Sequence, residues 1–262
     1  MTFNPKILKI NPSIFILCTL LAACSAVPET GRSQLLLVNP AQEAQMGSQE
    51  FDKLKKSTPI SKDPAGNAQL QRVGQRIAAV APMANAQWEF VLFDKPDVPN
   101  AFCLPGGKVG VFSGILPITK DDAGLATVIG HEVAHAVARH GAERMSQDAL
   151  FQILGEAALG RTSETNRALI QQAYGLGVAL PHSRDQELEA DHLGLLYMAR
   201  AGYDPHEAVA FWKRFSEYNK THGGGKPVAF LSTHPLDEKR ISQLEGLLPQ
   251  ADTEYKKTAT KP

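Results

Sequence analysis

Cysteine is nearly missing. The 262 residues contain 3, and two of them, Cys18 and Cys24, fall within the first 24 positions. Beyond these only Cys103 remains, so no internal disulfide can staple the rest of the chain; its fold must rest on packing and on any metal it binds. Net charge is missing too. The 27 basic residues balance the 27 acidic ones, and no basic run is interleaved with aromatics, so nucleic acid is not an expected partner. The alanine- and glycine-rich stretch from Leu150 to Leu180 contains no uncharged run of 18 residues, which argues against a membrane span there. No period of 20 to 50 residues recurs, so an appended helical-repeat module is not expected. What is present is ordinary for a folded protein: 43% hydrophobic and 21% charged residues, enough chain for one large domain or two small ones.

The N-terminus is a separate object. Lys6 and Lys9 precede the apolar stretch Ile14–Leu21, and small residues Ala22 and Ala23 follow. A basic segment, a short apolar core and a small-residue exit describe an export signal, and the core is too short for a stable span. The exit Leu21-Ala22-Ala23-Cys24 resembles the lipobox of bacterial lipoproteins. That resemblance implies cleavage after residue 23 and lipidation of Cys24, with firm membrane attachment through buried acyl methylenes. Ser25 follows the cysteine, and lipoproteins without Asp there are usually sorted to the outer membrane. The expected layout is a signal at 1–23, a lipidated extended tether at 24–38, a single domain at 39–250 and a flexible polar tail at 251–262.

Within the domain, helix starts are marked by caps. Asn39-Pro40 opens a helix towards Leu54, and Asp63-Pro64 opens one whose Leu70, Val73, Ile77 and Val80 share a face. Trp88–Phe93 and Lys108–Phe112 read as strands around a loop containing two prolines, 94–99. Asp121 or Asp122 caps a helix that should run to His140, with Gly141 as its stop. Helical patches follow around Phe151–Gly160 and Ala168–Tyr174. Ser183 and Gln186 form a capping-box pattern for a helix ending near Gly202. Asp204-Pro205 starts a helix bearing Phe211, Trp212 and Phe215, read as core; Gly223-Gly224-Gly225 breaks it, and a short helix is expected after Pro235.

The chemistry centres on His131-Glu132-Val133-Ala134-His135. On a helix, positions i and i+4 share a face, so both imidazoles reach one metal ion, while Glu132 is placed to act as a base on an activated water. Leu125, Val128, Ile129, Val133 and Val137 are apolar, so this helix is buried, and buried imidazoles need partners. A catalytic zinc site takes three protein ligands. Glu187, in Glu187-Leu188-Glu189-Ala190-Asp191, is the candidate third; spacing alone leaves it equally a solvated carboxylate. Asp191 shares its face and can accept the proton of a ligand histidine. Glu189 is expected to turn away, His140 to be structural, and Cys103 to be a buried inert thiol.

These motifs, in order, resemble the gluzincin peptidases of the HtpX, BepA, LoiP and CAAX-prenyl-protease group. Asn100-Ala101-Phe102 before Pro105-Gly106-Gly107, Ser183-Arg184 before Glu187, and Thr233-His234-Pro235-Leu236 with Arg240 extend the likeness over roughly residues 65 to 245. The resemblance implies an α+β, mainly α-helical, zincin-like metallopeptidase domain with a small β-sheet beside the active-site helix. It implies one zinc ion per chain held by His131, His135 and Glu187. His234 either stabilises the oxyanion, with Arg240 in support, or fills the open zinc position as an off-switch. Asn100 and the strand after Pro105 would line an extended substrate at a sheet edge, with Arg240 also in contact with substrate. The chain looks closest to small outer-membrane lipoprotein members such as LoiP. It is therefore expected to be a metalloendopeptidase facing the periplasm, acting on unfolded or misassembled envelope proteins. A chaperone-like lipoprotein with a structural or silenced zinc site is the alternative, and an intact Glu132 argues against it.

Overall fold

The computed structural model describes residues 24–159, 182–224 and 227–259. The expected signal, 1–23, and the helical patch at 168–174 lie outside those residues. Strands β1 (Cys24–Ala26) and β2 (Ser33–Leu35) pair antiparallel. The turn between them passes through Glu29 at φ 69° and Gly31 at φ 71°. The expected extended tether is thus a hairpin, and it is seated on the domain, with Val27, Gln34 and Leu36 buried.

Helix α1 (Pro40–Ser57) carries a full capping box between Asn39 and Gln42. In α2 (Pro64–Ala78) the Asp63 carboxylate accepts from the Ala65 and Gly66 amides, and Leu70, Val73 and Ile77 are fully buried. Strands β3 (Glu89–Phe93), β4 (Ala101–Leu104) and β5 (Lys108–Phe112) form a sheet of order β3-β5-β4. The β3 and β5 strands run parallel, and β4 runs antiparallel to β5. This corrects the expected substrate edge. The strand after Pro105 is central, with both sides paired, and the open edge belongs to β4, which is too short to stand out in sequence.

A 3₁₀ turn and α3 (Leu116–Thr119) lead into α4 (Asp122–Val137), capped by the Asp121 side chain on the Gly124 amide. Every α4 residue except Asp122, Ala123 and Ala136 is buried, as its apolar flanks predict. Helix α4 ends three residues before His140. Arg139 turns the chain at φ 58°, and α5 (His140–Leu159) starts at once, so Gly141 lies inside a helix instead of stopping one. A left-handed non-glycine residue is sterically disfavoured. Arg139 is held there by Glu43 of α1, at 3.0 Å from Nε, and by the Val38 carbonyl, at 2.8 Å from Nη2.

Helix α6 (Arg184–Arg200) starts with the expected Ser183–Gln186 capping box. Helices α7 (His206–His222), α8 (Ala229–Thr233) and α9 (Glu238–Ala259) complete the described residues. The last helix was expected to be short, with a flexible tail from residue 251. It runs to Ala259 instead, because Leu244 and Ala251 give it an apolar face that is fully covered. Helix α4 packs against α6, α2, α7 and β4, so the fold is α+β and mainly helical, with the small sheet beside the central helix. At the α4–α6 crossing two glycines meet. A Cβ on Gly194 would stand 2.8 Å from the His131 amide nitrogen, and one on Gly130 would stand 2.8 Å from the Gly194 carbonyl oxygen. Only glycine allows backbones so close, and this contact sets His131 against the carboxylates of α6.

Candidate metal centre

Four buried side chains converge where α4, α6 and the end of α8 meet: His131, His135, Glu187 and His234. His131 Nε2 lies 3.1 Å from His135 Nε2 and 3.3 Å from His234 Nδ1. Glu187 Oε1 lies 3.3 Å from His135 Nε2 and 3.0 Å from His234 Nδ1. Donors spaced about 3.3 Å apart are what tetrahedral bonds of roughly 2.0–2.1 Å to zinc require.

The hydrogen-bond network assigns the tautomers. His140 Nε2 is 2.9 Å from Glu189 Oε2, an acceptor only, so His140 carries its proton on Nε2. Its bare Nδ1 then accepts from His135 Nδ1 at 2.8 Å, which leaves His135 Nε2 bare. His131 Nδ1 faces Asp191 Oδ1 at 3.1 Å, although not in ideal alignment; in the neutral ring the proton sits there and Nε2 is bare. Two lone pairs and a carboxylate oxygen thus face one another, with only the His234 ring, through Nδ1, placed to offer them a proton. A shared cation stabilises such a cluster, and this donor set fits zinc.

Burial keeps His135 well below the ordinary imidazole value and lowers His140, so both are neutral. Burial also opposes charge on His131, but hydrogen bonds with Asp191 and Glu187 outweigh it and push that residue to about 9. A cation competes with this proton for the same lone pair. Glu187 is held well below the carboxylate range against the cost of burial, first by His234 and Arg240. Glu132 shows the reverse: burial pushes it up. Its Oε1 lies 3.3 Å from His234 Nε2, so the His234 ring stands between Glu132 and the cluster. His234 ends α8 rather than starting the following helix, and the Phe230 ring stacks on it at 4.5 Å.

Asp191 partners His131, as expected. Arg240 and Asn100 are placed differently from expectation. Arg240 is 1% exposed. It grips Asp191 with two hydrogen bonds of 2.7 Å, reaches Glu187 Oε2 at 2.7 Å, and stacks 4.2 Å above Trp212. It therefore neutralises the carboxylates behind the ligands and does not face substrate. Asn100 is buried just before β4, its side chain accepting from the Ala101 amide and its carbonyl from the Phe112 amide. It shapes the strand entry and does not line the cleft. The cleft is lined instead by Ala101–Pro105 of β4 and the turn after it, by Glu132, His135 and His234, and by Met46 and Met145. Cys103 lies on that wall, half-buried rather than fully buried as expected; desolvation pushes its thiol up, with Glu132 adding to the effect.

Three residues near the centre have partners there that the sequence reading did not foresee. His140 is fully buried against His135 and Glu189. His182 stacks on His135 at 3.8 Å and on His234 at 5.0 Å, and burial pushes it far below the imidazole range. Glu189 does face away from the ligand cluster, yet it is buried and holds His140. A histidine five residues after His135, and acids on two faces of a single helix, were the available signals.

Comparison with known proteins places this geometry. The model of Peptidase family M48 matches residues 64–248. The Mitochondrial metalloendopeptidase OMA1 of Schizosaccharomyces pombe is 42% identical over 70% of this chain and 53% of its own length. The OMA1 of Arabidopsis thaliana is 43% identical over 64% of this chain and 33% of its own. The Beta-barrel assembly-enhancing protease of Yersinia pestis is 28% identical over 85% of this chain and 47% of its own. The chain spans about half the length of the curated relatives it matches. With most of the chain matched and the ligand cluster assembled within the match, the chain belongs to Peptidase family M48.

Proposed function

We propose that this chain is a zinc-dependent endopeptidase with His131, His135 and Glu187 as ligands and Glu132 as general base. The observation that carries this reading is the convergence of buried ligand atoms of His131, His135 and Glu187 at the spacing that one cation needs, with the Glu132 carboxylate of the same helix on the far side of the His234 ring. A zinc ion there supplies Lewis acidity to the scissile carbonyl and to water. Glu132, its affinity for protons raised by burial, takes the proton of the attacking water and passes it to the leaving amine. Pairing in β4 alternates, so the Ala101 carbonyl and the Cys103 amide and carbonyl point off its free edge, while the Ala101 amide is held by Asn100. An extended substrate adds there as a further strand.

His234 occupies the fourth position of the cluster and separates Glu132 from it, which supports reading this conformation as resting. Swung aside, the same ring is free to donate to the oxyanion. The substrate class we propose is unfolded or stalled envelope protein, met at an outer membrane by a molecule lipidated at Cys24. The exposed position of Cys24 and the likeness to a protease named for β-barrel assembly support it.

Casein cleavage by purified protein tests the chemistry. Glu132→Gln should keep its zinc and lose at least ~100-fold in rate, the usual contribution of a positioned base. His234→Ala should cleave faster than wild type if the ring blocks the site. Equal cleavage by wild type and Glu132→Gln rejects the catalytic reading.

A further inference from the structure

The N-terminal hairpin reaches the metal centre through one side chain. Arg32, just before β2, donates from Nε to Glu189 Oε2 at 2.7 Å. Its Nη1 and Nη2 donate to the two Glu143 oxygens at 2.6 and 2.8 Å. The Thr30 hydroxyl donates to the other oxygen of Glu189, and Gln186 Nε2 secures Glu143 at 2.9 Å. Glu189 Oε2 also accepts from His140 Nε2, and His140 Nδ1 accepts from His135 Nδ1 at 2.8 Å. Hydrogen bonds therefore run unbroken from the hairpin, eight residues beyond Cys24, to the imidazole that presents Nε2 to the ligand cluster.

We propose that Arg32, Glu189 and His140 form a positioning relay for His135, so that seating of the N-terminal hairpin sets how tightly the site holds its metal. The proposal rests on reading His135 as a ligand. The physical reason is the tautomer. With Glu189 in place, His140 keeps its proton on Nε2 and offers a lone pair to His135 Nδ1–H. Without Glu189, His140 is equally able to carry the proton on Nδ1, where it would oppose the proton of His135. Relief then requires His135 to move its proton to Nε2, the nitrogen the cation needs, or to rotate away. Arg32 fixes which oxygen Glu189 turns to His140 and offsets the repulsion between two buried carboxylates, Glu143 and Glu189. Partners of this kind typically change metal affinity 10- to 100-fold.

The test uses the full chain, with zinc affinity measured by chelator competition and the visible spectrum of the cobalt-substituted protein read in parallel. Glu189→Gln should weaken zinc binding about 10- to 100-fold, and Arg32→Ala should weaken it several-fold with an altered cobalt spectrum. Arg32→Lys should recover part of the loss. The double variant should bind no more weakly than Glu189→Gln alone, because Arg32 acts through Glu189. Arg72→Ala, which breaks a surface pair with Asp122 at 2.7 Å, should leave zinc affinity unchanged. If Arg32→Ala binds zinc and cobalt as wild type does, even with a lowered melting temperature, the hairpin is only a strap and the relay is wrong. If wild type itself binds no zinc, the reading of the site fails, and the relay with it.

Discussion

Replacing Gly194 with alanine should damage the metal site from a distance. The new Cβ would stand 2.8 Å from the His131 nitrogen and 2.9 Å from both the Gly130 carbonyl carbon and the His131 Cα. All three are backbone atoms of α4, so no side chain can rotate out of the way. Ordinary contact begins near 3.4 Å, and α4 and α6 must therefore part by about half an ångström. Alanine in a helix interior gains ~1 kcal/mol over glycine, while overpacking costs about 1–3 kcal/mol; the clash prevails. Each kcal/mol lost lowers Tm by roughly 2–4 °C at this size. The separation falls on His131, which follows Gly130, and on Glu187 and Asp191, which share a helix face with Gly194. Zinc affinity should accordingly fall by about 10-fold or more, as it does when ligand supports are disturbed. Gly246→Ala is the control: on α9 its Cβ meets nothing within 4 Å, so it should gain up to ~1 kcal/mol and bind zinc normally. Thermal melts with zinc and with chelator, alongside chelator competition, separate the two effects. The reasoning fails if Gly194→Ala melts as high and binds zinc as tightly as Gly246→Ala.

Two further outcomes follow from buried charge. Arg240→Ala leaves the carboxylates of Asp191 and Glu187 without their common cation in a fully buried site. It should destabilise the zinc-free protein by about 3–5 kcal/mol, read as a fall in the urea midpoint, and Arg240→Lys should not restore it because the grip on Asp191 is bidentate. The second concerns acid. Glu189 is lowered from 4.5 to about 2 by His140, Thr30 and Arg32, against the cost of burial. Its contribution to stability is therefore full above about pH 5 and is lost as pH falls through 4.5 towards 2. In zinc-free protein, urea midpoints measured from pH 5 to pH 2 should decline less steeply for Glu189→Gln than for wild type. Parallel declines would show that Glu189 carries no such linkage.

What could be read from the sequence was what is decided locally. The caps at Asn39, Asp63 and Ser183 are settled within one helical turn, and each formed as expected. The pairing of His131 with His135 needs only helical spacing. The misreadings share a different cause. The place of β5 in the middle of its sheet depends on pairing with two other strands. The burial of Arg240 depends on Asp191, 49 positions away, and the seating of residues 24–38 depends on Glu143 and Glu189. Composition made residues 24–38 look like a solvated tether, because charged residues look the same in sequence whether they meet water or one another.

The choice between Glu187 and Glu189 as ligand marks the boundary between the two kinds of information. Spacing left Glu187 open, and the resemblance selected it. In the fold the selection is made by Gly194, which stands seven positions after Glu187 and three after Asp191, two helical turns along the same face. That face, and only that one, carries no side chain at the point of closest approach to α4, so it is the face whose carboxylates can reach His131 and His135. Glu189 points off a different side of α6 and meets His140 and the hairpin instead. A small residue two turns beyond a candidate ligand, opposite a glycine that directly precedes the first histidine, is therefore a physical signal for which carboxylate binds. It can be read from sequence once two helices are expected to cross at backbone contact.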